Sequence, residues 1–166
     1  MTADGPRRPR DGQAAANVPR HPPDRGRPAG EARRLPLFVY GTLMPGLRNH
    51  AWFLRGRTVA EVPARLAGAV LYEGPGYPHA VAAPHGEVHG VLVTLDPARY
   101  DALLAGLDEL EGCVPGDPGN LFDRVEREVV PGTGGTARAW VYLASDRVAR
   151  RLRVTGRPVP GGVWRG

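Results

Sequence analysis

Apolar side chains at Tyr100, Leu103, Leu104 and Leu107 recur at i, i+3, i+4 and i+7, the spacing that gathers them on one face of an α-helix. The pattern predicts a helix over residues 96–111, with Asp96 as its cap and Pro97 at its first position. A shorter helix is predicted over 48–54. The run Leu-Pro-Leu-Phe-Val-Tyr at 35–40 is a short, fully apolar strand halted by Gly41. Segments 65–72 and 77–82 read as strands on either side of the Glu73-Gly-Pro-Gly turn. Segment 87–95 is a longer strand with Gly90 inside it, a plausible bulge or barrel corner. Residues 122–130 alternate in part, Val125 and Val129 against Arg124, Glu126 and Glu128, and 137–143 is a further strand across a Pro-Gly-Thr-Gly-Gly hairpin turn. Residues from Gly156 on are rich in Gly and Pro and are expected to wrap the surface. Six short strands, one strong helix and no βαβ alternation or internal repeat predict an α+β fold. Its expected form is a small closed or partly closed β-barrel of about six strands with flanking helices.

The same periodicity carries the main chemical clue. At about 100° per residue, position 111 returns to within roughly 20° of Tyr100, so Glu111 points into the apolar stripe. Glu109 points nearly opposite and Asp108 lies at its edge. An inward carboxylate is costly to bury unless paired, hydrogen-bonded or protonated. Burial raises its pKa toward the range where a general base works near neutrality. Two other outcomes also fit the pattern. Gly112 can end the helix early and release Glu111 into solvent, or Glu111 can be a structural carboxylate paired with an arginine.

Composition narrows the classes. The 166 residues suit one domain, and the formal charge is +5. Residues 1–34 hold eight Arg against four acidic residues, and the remainder 14 against 13, so the basic excess lies in the first segment. That segment also has six Pro and four Gly and too few large apolar residues to offset the entropy of ordering; it is expected to be a disordered Arg/Pro-rich tail. The domain is expected to span 35–166. A nearly neutral domain does not suggest specific nucleic-acid binding. No run of 18 apolar residues predicts a membrane span. A single cysteine forms no internal disulfide and points to a reducing, cytoplasmic compartment. All 22 basic residues are arginine, which removes lysine Schiff-base chemistry.

Val39-Tyr40-Gly41-Thr42-Leu43 leaves a buried strand through a glycine. Successive N–H groups in such a turn can converge on a carboxylate or an oxyanion, and Thr42 adds a hydroxyl. No Gly-Lys-Ser/Thr follows, so it is no phosphate loop. His21, His50, His79, His85 and His89 lack metal-ligand spacing, and neither a metal nor another cofactor is expected. Cys113 has no histidine close by in sequence and reads as a small buried or partly exposed residue. Ser145, the single serine, is not in a nucleophile elbow. Tyr72, Tyr77, Phe122 and Tyr142 read as core rather than site residues.

Taken together, Leu37-Phe-Val-Tyr-Gly-Thr-Leu, Gly76-Tyr-Pro, Leu107-Asp-Glu-Leu-Glu-Gly, Phe122-Asp-Arg-Val, Trp140-Val-Tyr-Leu and Gly162-Val-Trp-Arg resemble the γ-glutamylcyclotransferase-like family, in its γ-glutamylamine cyclotransferase (AIG2-like) branch. The resemblance runs from about Leu35 to Gly166. It implies a compact β-barrel with flanking helices. It also implies cleavage of a small γ-glutamyl amide with ring closure to 5-oxoproline and release of a free amine. It places the family's general acid/base on Glu111 and the substrate-holding loop on Tyr40, Gly41, Thr42 and Leu43. The substrate's own α-amino group is then the nucleophile, so none is required of the protein. Members of the family also remove γ-glutamyl groups from biosynthetic intermediates, and others have no established activity, so deprotection and non-catalytic binding of a small ligand stand as alternatives. The chain departs from the family pattern at Phe122, where tyrosine is usual, at Val163, where aspartate is common, and by a lengthened loop after Glu111, Val114-Pro-Gly-Asp-Pro-Gly-Asn.

Overall fold

A computed structural model describes residues 34–166. The tail expected over 1–34 lies outside the described residues except for Arg34. The elements are β1 (Leu37–Val39), α1 (Arg48–Phe53), β2 (Thr58–Tyr72), β3 (His79–Leu95), α2 (Tyr100–Glu111), β4 (Phe122–Pro131), β5 (Ala137–Ala144), α3 (Asp146–Thr155) and a 3₁₀ turn at Pro160–Gly162. The strands form a closed barrel in the order β1-β3-β2-β4-β5. Every pairing is antiparallel except the seam, where β1 runs parallel to β5 through Leu37↔Trp140 and Phe38↔Val141. The fold is α+β, as expected.

Strand alternation sorts the core into two layers. Phe38 and Tyr40 join Leu66, Val88, Leu92, Val141 and Leu143 in the barrel interior. Leu37 and Val39 face the other way, into a second cluster with Leu54, just past α1, and Tyr100, Leu103 and Leu107 of α2. A third cluster seats α3 through Val148, Ala149 and Leu152 on Val81 and Ala144.

The barrel has five strands rather than about six, because segments 77–82 and 87–95 are one strand. Register passes from Ala67↔Glu87 to Ala69↔Ala82, so residues 83–86 make an excursion opposite Gly68, which takes φ +74°. The irregularities lie there and between Thr58 and Ala60, not at Gly90, which pairs in register with Ala64. Gly90 serves close approach instead: a Cβ on it would lie 2.1 Å from the Val39 carbonyl oxygen and 2.9 Å from the Phe38 ring. The first half of β2 contains Pro63, a residue that argues against a strand. Its carbonyl accepts from Gly132 N–H at 2.7 Å on the β4 side. A strand residue's N and C=O face the same side, so the missing donor lies beyond the β4 ladder and costs little.

Helix α2 begins at Tyr100, not at Asp96. The Asp96 carboxylate accepts from Ala98 N–H at 2.9 Å and its carbonyl from Arg99 N–H at 3.0 Å, a local turn that delays the helix. Helix α3 was not among the expected elements; Ser145 caps it by accepting from Val148 N–H. After it, Val159 N–H bonds to the Leu71 carbonyl at 2.7 Å, and Val159 and Trp164 pack on the interior cluster. Among the described residues no helix is long and apolar enough to cross a membrane.

Two glycine substitutions separate space from backbone freedom. Gly90→Ala is expected to destabilise by about 2–3 kcal/mol through overpacking. Gly106→Ala, in α2 with its nearest neighbour 3.9 Å from the added methyl, is expected to stabilise by about 0.5–1 kcal/mol. Urea denaturation of both variants measures the difference.

Candidate active site

A cavity of about 220 Å³ opens beside the end of β1, and Glu111 and the four loop residues Tyr40, Gly41, Thr42 and Leu43 all line it. Glu111 is the last residue of α2. Gly112 follows in the left-handed region at φ 61°; its N–H bonds to the Glu109 carbonyl and that of Cys113 to the Asp108 carbonyl. This is the Schellman closure, and it ends the helix after Glu111 rather than before it. Glu111 has no hydrogen bond or ion pair among the described residues. Burial raises its carboxyl from 4.5 to about 7.

Across the cavity the chain leaves β1 in a turn closed by Met44 N–H to the Gly41 carbonyl at 2.9 Å. None of the turn and loop hydrogen bonds among the described residues uses the N–H of Gly41, Thr42 or Leu43, so three consecutive donors remain uncommitted. Gly41 has no positive φ. It is required because a Cβ would meet the Pro78 ring at 2.9 Å. Helix α1 fixes the turn from below. Asn49 donates to the Thr42 hydroxyl at 2.9 Å and His50 N–H to the Thr42 carbonyl at 3.3 Å. The Thr42 oxygen accepts from Asn49, which leaves its own proton free to donate. The Tyr40 hydroxyl is committed elsewhere: it donates to the Tyr142 carbonyl at 2.5 Å and accepts from Ala80 N–H at 3.4 Å. Burial, with the nearby Glu111 charge, pushes its pKa far up, so Tyr40 offers the cavity a neutral ring.

One turn before Glu111, Asp108 is fully engaged. It accepts from Arg124 Nε at 2.8 Å, Arg124 Nη2 at 3.1 Å and the Tyr142 hydroxyl at 2.7 Å. Arg124 lies 4.8 Å from the Trp140 ring centroid. Trp140 donates to the Tyr100 hydroxyl at 3.1 Å, and Tyr100 to the Leu35 carbonyl at 2.8 Å. The side of α2 opposite solvent is thereby tied to β4 and β5 along its length. The Tyr142 phenol, raised by burial and by its bond to Asp108, stays neutral.

Tyr77, Phe122 and Tyr142 line the cavity and are at once core and wall, which corrects their assignment to the core alone. Phe122 stacks on His79 at 5.0 Å and 16°. Burial, and secondarily Arg151, lowers the His79 pKa. Cys113 is buried, and its sulfur accepts from Arg124 N–H at 3.4 Å. Sequence reasoning had also left out Asn49, Arg48, Asp108 and Arg124. The two members of the Asp108–Arg124 pair stand 16 residues apart on different elements, and no periodicity links them.

A family model described as gamma-glutamyl cyclotransferase, AIG2-like, matches residues 37–166. A curated relative in Niallia circulans, gamma-L-glutamyl-butirosin B gamma-glutamyl cyclotransferase, is 37% identical over 111 residues, 64% of this chain and 65% of that protein. The match therefore spans a little under two thirds of the relative's length. A solution structure from Arabidopsis thaliana is 28% identical with a TM-score of 0.55, over 81% of this chain and 72% of that one. An AIG2-like protein of Mus musculus shares the fold at 18% identity, TM-score 0.56, over 79% and 88% of the two chains.

The raised carboxyl has a consequence for stability. Between pH 4.5 and about 7 the folded chain keeps a proton on Glu111 that the unfolded chain has released, so stability falls as pH rises through that window. At about 1.4 kcal/mol per pKa unit, the full penalty is on the order of 3 kcal/mol. Glu111→Gln is expected to exceed the wild type by about 2–3 kcal/mol at pH 8 and by under about 1 kcal/mol at pH 5. Urea titrations at the two pH values test this; equal stabilities at pH 8 would mean the carboxylate is solvated.

Proposed function

Because the chain belongs to the γ-glutamyl cyclotransferase, AIG2-like family, we propose that it cleaves a γ-glutamyl amide, closing the glutamyl group into 5-oxoproline and releasing a free amine. The observation that carries this reading is the largely desolvated carboxyl of part-buried Glu111, unpartnered among the described residues and sharing a cavity with the uncommitted N–H donors of residues 41–43. The activity is assigned to the domain over 35–166, with the Arg/Pro-rich segment as an extension. The lone Cys113 thiol, buried and without a disulfide, favours a cytoplasmic setting.

In this mechanism ionised Glu111 takes a proton from the substrate's α-ammonium group. The freed nitrogen attacks the γ-carbonyl carbon and forms the new C–N bond. Negative charge moves to the carbonyl oxygen, where N–H groups of residues 41–43 and the Thr42 hydroxyl stabilise it. The tetrahedral centre collapses and the original amide C–N bond breaks as Glu111 returns its proton to the leaving nitrogen; the ring nitrogen's second surplus proton then passes through the same carboxylate to the departing amine, which leaves as an ammonium. The base form is regenerated with no external reactant. The aromatic walls at Tyr40, Tyr77, Phe122 and Tyr142 exclude water and hold the glutamyl chain folded for ring closure, an orientation effect worth several kcal/mol. A carboxyl near 7 suits both proton transfers. Phe122 contributes a ring face and no hydroxyl, so substrate polar groups are held from the loop side.

A second reading of the same chemistry is removal of a γ-glutamyl group from a larger amine. The Niallia circulans relative, named for γ-L-glutamyl-butirosin B, favours it.

An assay of 5-oxoproline release over a panel of γ-glutamyl amides tests the proposal. For the wild type, kcat/KM is expected to rise with pH along a limb centred near 7, as Glu111 ionises. Glu111→Gln is expected to fold, to lose at least about 10²-fold in kcat, and to lose that limb. Near-normal turnover by the variant would refute the mechanism.

A further inference from the structure

Two of the large apolar side chains left exposed among the described residues, Leu110 at 37% and Leu121 at 42%, line the cavity. Scattered exposed leucines are ordinary; a pair on the rim of one cavity is a surface feature. The loop that presents Leu121 is firmly built. Asn120, buried to 4% exposure, accepts from Val114 N–H at 2.9 Å and donates to the Val114 carbonyl and to Asp123, both at 2.8 Å. Asp117 accepts from Gly119 N–H at 2.7 Å, and Arg147 donates to the Gly119 carbonyl at 3.2 Å. Asn120 thus pins the backbone of Val114, itself 56% exposed, beside the backbone leading into Leu121. The lengthened loop thus leads rigidly into Leu121, which it leaves partly in water at the mouth.

Charge on the lining points the same way. Among the described residues, Arg48 is the one basic side chain of the lining and Glu111 the one carboxyl. Glu111 is engaged with the α-amino nitrogen in the cyclotransferase reading, so the lining offers one cation and no free carboxylate among the described residues. Arg48 is held with its guanidinium 5.5 Å from the Trp52 ring centroid. A second ammonium on the leaving amine would meet Arg48 with no carboxylate to receive it.

We propose that the amine released by this protein has an apolar body without positive charge, which lies on a shelf formed by Leu110 and Leu121, and that Arg48 turns away amines bearing a second cation. This rests on the cyclotransferase reading of the same cavity and adds to it the class of leaving group.

γ-Glutamyl-n-hexylamide and γ-glutamyl-5-aminopentylamide match in length and differ in a terminal methyl against an ammonium. The expected ratio of their kcat/KM values is about tenfold or more in favour of the hexylamide. Leu121→Asp is expected to bring the ratio to about one or below, and Arg48→Glu to shift it in the same direction, with folding checked by circular dichroism. A wild-type ratio of one or less, or a ratio unmoved by Leu121→Asp, overturns the shelf. If neither amide yields 5-oxoproline, the cyclotransferase reading fails on its own. The shelf is then judged by calorimetric Kd values for the two tails carried on glutaric acid monoamides, which lack the α-amino nucleophile. The same ratio criterion, in wild type and Leu121→Asp, supports or overturns it.

Discussion

Two carboxylates stand one helical turn apart on α2 and are treated in opposite ways. Asp108 receives three donors, two from Arg124 and one from Tyr142. Glu111 receives none among the described residues. The first arrangement is what makes the second tolerable. A bidentate arginine pair of low exposure is geometrically exacting. It ties α2 to β4 and β5 one turn before the helix's last residue. The unfavourable burial of one acid is thus supported by the complete satisfaction of its neighbour, a division of strain and support typical of functional sites.

The barrel itself was readable where local pattern and final environment agree. Strand alternation separates Leu37 and Val39 from Phe38 and Tyr40 without any knowledge of the partners, and the hairpin β4–β5 announces itself by its glycine-rich turn. Agreement fails where a residue's local meaning is overruled by position. Pro63 argues against a strand until one sees that its missing donor falls past the end of β4. Residues 83–86, which separate two expected strands, are an excursion within one continuous strand. Helix α3 is dense in arginine and buries only Val148, Ala149 and Leu152, so its apolar stripe is narrow, and the Ser145 cap is its clearest sequence signal.

The site was legible in one dimension only. Helical periodicity aims Glu111 inward because Tyr100 and Leu107 fix the face, and the glycine exit from β1 suggests a donor-lined turn. What surrounds them depends on sheet register. Arg124 reaches Asp108, and Tyr142 meets Tyr40, through pairings set by the barrel. Asn49 orients Thr42 from a helix that begins after two intervening turns. The aromatic residues were assigned to the core because burial and cavity lining look identical from sequence: Phe122 and Tyr142 are each 3% exposed and still form its walls.

The seam between β1 and β5 has a temporal meaning. The three residues of β1 are synthesised early, yet their parallel partners Trp140 and Val141 come about a hundred positions later. The Tyr40 hydroxyl likewise waits for a carbonyl 102 residues downstream. Such long-range closure is slow to nucleate. A nascent chain on the ribosome therefore carries its donor turn exposed and unassembled until nearly the whole domain has emerged, and acquires both cavity walls in one late, cooperative event.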